Sequence, residues 1–158
     1  MAVQVQLLGR TDGNTNFSVY SFPITSGVTV TKGDFVYADG SGRITNSSIG
    51  GALLVGNAMQ TATGNAGGTV KAQVCVDPEM RYLLDNDNDS ATFAATDVLK
   101  YFDLIGATGA QLVDTSTGSG TTGQLLCLEF NPQISPVETD TSVGIFKIRE
   151  SAYYPVAT

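Results

Sequence analysis

Three aspartates stand two residues apart in the run LLDNDNDSATFAATDV: Asp85, Asp87 and Asp89. Alternating carboxylates are how a calcium loop begins, because Ca2+ is held by several hard oxygen ligands. An EF-hand loop then needs glycine at its sixth position and a bidentate glutamate at its twelfth. Counting from Asp85, those positions hold Ser90 and Thr96, and Asp97 comes one residue late. The preceding RYLLD reads as a strand, not as the helix an EF-hand requires. An EF-hand is therefore excluded. A looser metal site built from Asp85, Asp87, Asp89 and Asp97 is the remaining metal reading. Against it stands a plainer one: Asp and Asn side chains accept hydrogen bonds from nearby backbone and tolerate left-handed conformation, which makes the run a turn. The turn is the reading adopted, with no metal expected.

Other chemistry finds little support. The chain has no histidine, which removes Ser-His-Asp and Cys-His nucleophilic machinery and His-ligated metals. The Gly-rich TATGNAGGTVK lacks the lysine placement and the following helix of a phosphate cradle. Asp77 and Glu79 flank Pro78 and read as a turn rather than a general acid/base pair. No S-x-x-K pairs a serine with a lysine base. The expectation is a protein that is not an enzyme and carries no cofactor.

Composition points the same way. Over 158 residues, 15% are charged, against about 25% in typical soluble domains. Nineteen threonines and eighteen glycines favour strands joined by tight turns. Eight basic residues against fifteen acidic ones give a net charge of −7. Nucleic acid and anionic membranes both demand clustered cations, so neither is an expected partner. No apolar run reaches the length of a membrane span, and the first residues do not read as a secretory signal. Cys75 and Cys127 lie in the apolar runs QVCV and LLCL and are expected as buried free thiols of a reducing compartment. A disulfide is the alternative if their strands are neighbours.

The elements that must position these residues are short and mostly alternating. Strands are expected over Val3–Leu8, Asn16–Ile24, Val28–Thr31, Met80–Asp85, Ala110–Thr115, Gln124–Phe130 and Gly144–Glu150. Phe35–Thr45 has the form of a hairpin around Asp39-Gly40-Ser41-Gly42. Ala52–Thr63 and Thr69–Asp77 flank the turn GNAGG as another. Ala95–Gly106 reads either as a short helix with Thr96 as its cap or as a strand. Ser116–Gly123 reads as a loop tip. The fold class is all-β: a small barrel or sandwich of the β-tulip kind, with an extended N-terminal arm and at most one short helix. The chain divides into residues 1–24, arm and first strands; 25–132, the β body; and 133–158, a polar linker and a C-terminal strand.

The stretches GDFVYADGSGRI and GALLVGNAMQTATGNAGGTVKAQV resemble the small β-barrel of tailed-phage capsid cement proteins. YLLDNDNDSATFAATDVLKYFDLIGATGAQLVDTSTGSGTTGQLLCLEFNP is similar to phage head-associated structural proteins, although Val98-Leu99 stands where those have Val-Gly. Together they cover about Gly33 to Pro132. The resemblance implies a capsid decoration protein, made in the host bacterial cytoplasm and resident on the outer capsid surface of the virion. Its partners would be the major capsid protein and itself, as a homotrimer. Contact candidates are Val3, Val5 and Leu7, with the aromatic side chains Tyr20, Phe22, Tyr153 and Tyr154 as anchors. A tail, neck or fibre domain, and a calcium- or carbohydrate-binding sandwich, are the alternatives.

Overall fold

A computed structural model of the chain describes residues 5–46, 53–87, 92–130 and 143–149. Among these there are thirteen strands and one 3-10 turn, Ala95–Asp97. The strands are β1 Gln6–Arg10, β2 Val19–Pro23, β3 Thr29–Val30, β4 Phe35–Ala38, β5 Ile44–Thr45, β6 Leu54–Ala58 and β7 Ala62–Thr63. They continue with β8 Lys71–Cys75, β9 Met80–Asp85, β10 Tyr101–Ile105, β11 Leu112–Ser119, β12 Leu125–Phe130 and β13 Val143–Ile148. All pairings between strands are antiparallel.

A six-stranded sheet runs in the order β1-β9-β13-β12-β10-β11, and a five-stranded sheet in the order β2-β8-β6-β4-β5. Neither closes on itself, so of the two architectures expected the open sandwich is the one formed. The sheets share a core. Phe35, Tyr37, Leu54 and Cys75 come from one, and Tyr82, Leu84, Phe102, Leu125, Cys127 and Phe146 from the other. Period-two alternation explains the sorting. In β9, Met80, Tyr82 and Leu84 face this core, whereas Leu83 joins Val143 and Ile145 in a cluster on the opposite face. In β4, Phe35 and Tyr37 face inward, and Val36 joins Val30, Val55 and Val74 on the outer face of the five-stranded sheet. The short β3–β7 pair packs there through Val30 and Ala62, as a third layer.

Aromatic rings dominate the centre. Phe93, Phe102 and Phe146 meet one another with ring centroids 5.4–6.0 Å apart, and Phe35 sits 4.8 Å from Tyr82 in an edge-on arrangement, geometries that suit the ring quadrupoles. Two buried glutamines tie backbone that no strand reaches. Gln111 accepts from the Phe35 amide at 2.6 Å and donates to the Phe35 carbonyl at 3.0 Å, taking the place of a neighbouring strand. Gln124 accepts from the Leu104 amide at 2.9 Å.

Three local expectations are corrected. Ala95–Gly106 is neither one helix nor one strand: a 3-10 turn is followed by β10. Ser116–Gly123 is not all loop, because β11 runs on to Ser119, which pairs with Tyr101. β6 and β8 pair as expected around GNAGG, but Ala62-Thr63 leaves their hairpin to pair with β3. The segment expected as an arm supplies the end strand of each sheet: β1 pairs with β9, and β2 with β8.

Candidate functional site

Asp85 makes a local bond and Asp87 a long-range one. Asp85 Oδ1 accepts from the Asn86 amide at 3.1 Å. Asp87 Oδ1 accepts from the Thr115 hydroxyl at 2.9 Å, while its amide donates to the Val113 carbonyl, which fastens the loop to β11. Asp97 is turned elsewhere. It accepts from the Ala94 amide at 2.8 Å and pairs with Lys100 at 2.9 Å. Among the described residues no three metal-ligating side chains converge. Asp89 lies outside the described residues, as do Val3, Tyr153, Tyr154 and the 133–142 linker.

Both cysteines are free and fully buried in the shared core. Burial, with the nearby Asp97 carboxylate, pushes the Cys127 thiol up to about 12; burial also raises Cys75. Neither is a nucleophile at neutral pH, since the thiolate is the reactive form.

Two polar knots anchor loops. Asp34, buried at the β3–β4 turn, accepts from the Thr31 amide at 2.8 Å, the Gly109 amide at 2.7 Å and the Thr108 hydroxyl. It thereby holds the β10–β11 loop against the other sheet. Asp77, also buried, accepts from the Glu79 amide at 2.9 Å and pairs with Arg10 at the end of β1. Arg10 pairs with Asp12 as well, at 2.7 Å. That partnership raises the guanidinium further and holds the Asp12 carboxyl down at about 2. Thr11 hydrogen-bonds Glu79, and Lys147 stands 3.7 Å from Glu79. Asp77 and Glu79 are thus turn and pairing residues of the β8–β9 connection.

A groove of about 1030 Å3 runs along β1. β1 and the loop after it form one wall; the β3–β4 turn and the end of β6 form the other. Val5 and Leu7 lie half-buried in it and pack on the shared core, as does Met59 opposite. A bulge between Leu7 and Gly9 sets β1's course, with Gly9 at φ +95°, a conformation that favours glycine. Gly33, at φ +96°, brings the facing turn close: a Cβ there would lie 3.5 Å from the Val5 carbonyl oxygen. Among the described residues the groove's charged lining is Arg10, Lys32 and Arg81, with no acidic side chain.

Of the remaining contact candidates, Tyr20 is 50% exposed on β2, whereas Phe22 packs against the outer cluster of the five-stranded sheet. Phe17 and Val19 are likewise 39% and 40% exposed. The alternation of VQVQLL was the signal for Val5 and Leu7. Lys32, Met59 and Arg81 carried none, because they reach the groove from separate strands and turns. Comparison of the chain with known protein families, curated proteins and solved structures gave no match.

Proposed function

We propose that this chain is an adhesive structural protein of a tailed-phage virion, which binds the outer surface of the expanded capsid as a trimer and bridges neighbouring capsid subunits. The observation that carries the reading is the segment from Val5 to Phe22. It supplies the end strand of both sheets and presents Val5, Leu7, Phe17, Val19 and Tyr20 half-buried or exposed. Exposed apolar groups and sheet-end strands are what a protein contact uses. The chain as a whole is rich in Thr and poor in charge, which lowers the average desolvation cost of contact. The phage head as partner rests on the sequence resemblance over Gly33 to Pro132. Several modest contacts per trimer would reinforce one another through effective concentration.

The test is co-sedimentation with expanded, undecorated heads of the phage that encodes the chain. Saturable binding near one copy per capsid subunit is the expected result, with a trimer mass by light scattering. A folded sample that stays in the supernatant would remove the capsid reading.

A further inference from the structure

We infer that the groove along β1 seats an extended acidic peptide of the partner, which adds to β1 as a further strand. The inference deepens the adhesive reading by naming the surface and the chemistry it takes.

Three independent features meet there. The first is backbone. Among the described residues β1 ends its sheet and pairs only with β9. Among the described residues, Val5–Leu8 make no backbone hydrogen bond outside that ladder. The same residues line the groove, with Gly33 of the facing turn near the Val5 carbonyl at one end. An open ladder is the template for strand addition. The second is apolar lining. Val5, Leu7 and Met59 pack on the core yet remain partly exposed, so alternate side chains of an added strand would find apolar seats. A peptide matching the five residues of β1 would run roughly 17 Å.

The third feature is charge, and it selects the occupant. In a chain of net charge −7, three of the eight basic residues line this groove, and none of the eleven acidic ones among the described residues does. Arg10 is engaged by Asp12 and Asp77. Lys32 has no ion-pair or hydrogen-bond partner for its ammonium among the described residues. Arg81 makes one bond there, from Nε to the Gly9 carbonyl at 3.3 Å, and meets no carboxylate. Two cations without counter-ions beside an apolar strip favour Asp or Glu at the peptide's ends. An anionic amphiphile would use the cations and the strip but leave the ladder flank unpaired.

The experiment is selection from a random linear peptide library on the immobilised full-length protein. The selected peptides are then titrated, and their binding is competed with decanoate. The expected result is enrichment of sequences alternating apolar residues with Asp or Glu. Affinity should fall at least about tenfold for the K32E/R81E variant, and about as much for peptides N-methylated at alternate amides, which cannot complete a ladder. K32Q/R81Q serves if the reversal unfolds the chain by circular dichroism. No enrichment, enrichment indifferent to both charge variants, or binding untouched by N-methylation would overturn the inference, as would direct binding of decanoate with no peptide selected. The same charge variants go into the head sedimentation assay. Peptide binding without head binding would leave the groove standing and remove the capsid reading. Undiminished head binding by the charge variants would remove the groove as the contact.

Discussion

Asp39 shows how one carboxylate organises a hairpin. It stands in the β4–β5 loop and accepts from the Thr25 hydroxyl at 2.6 Å, the Ser41 amide at 2.8 Å and the Arg43 amide at 3.1 Å. These bonds, the Thr25 one foremost, favour the ionised form and lower its pKa from 3.8 to about 2. A depressed folded-state pKa stabilises the fold above the unfolded value and ceases to do so as pH falls through the folded one. D39N should therefore melt below the parent from neutral pH down to about 4, and the gap should close as pH falls toward about 2. Thermal melts across that range check it; a gap constant with pH would contradict it. Leu99 is strained in a different way. It is the one non-glycine residue with positive φ among those described, at +67°, and it is 68% exposed. Its side chain buries little, and its backbone position suits glycine. Relief of left-handed strain, about 1–2 kcal/mol, exceeds the added unfolded-state entropy of glycine, about 0.5–1 kcal/mol. L99G should raise stability by roughly 0.5–1 kcal/mol in urea unfolding.

At the scale of elements, Gln111 substitutes for a missing strand. Its amide serves both backbone groups of Phe35. Gln111→Leu keeps much of the volume but leaves a buried donor and acceptor without partners, each a loss of about 1–3 kcal/mol. A destabilisation of roughly 2–5 kcal/mol is expected by denaturant titration; a cost below about 1 kcal/mol would show that water serves Phe35 instead. Long-range service of this kind also marks the limit of sequence reading. Strong local alternation was legible: Met80–Asp85 forms β9 over the expected residues, and Phe35–Thr45 closes the expected hairpin. Ala95–Gly106 was ambiguous because its apolar residues fit either period over so short a span. STGS read as loop because its small polar residues match turn chemistry, yet pairing of Ser119 with Tyr101 makes it strand. The candidate site was half legible. Val5 and Leu7 follow from alternation, but Arg10 meets Asp77 across 67 positions, a pairing no local pattern encodes.

At the scale of the whole molecule, the first strands decide whether the contact surface is a detachable arm or part of the sandwich. A detachable arm would carry its own apolar groups to a partner, and its loss would cost binding alone. β1 is placed otherwise. It forms a ladder with β9, Val5 and Leu7 cover the shared core, and Arg10 is the partner of buried Asp77. Removing residues 1–10 would expose one side of β9, uncover Met80 and Tyr82, and leave the Asp77 carboxylate buried without its cation. Loss of two half-buried aliphatic side chains and a ladder amounts to roughly 2–4 kcal/mol. The truncated chain should therefore melt well below the parent and bind a hydrophobic dye, read by circular dichroism and fluorescence. An unchanged melting temperature would mean that β1 contributes nothing to the fold, and that its apolar residues serve a partner alone. The expected loss would mean that the surface offered to a partner is held rigid by the core beneath it. Binding could then proceed without the entropic cost of ordering a free segment.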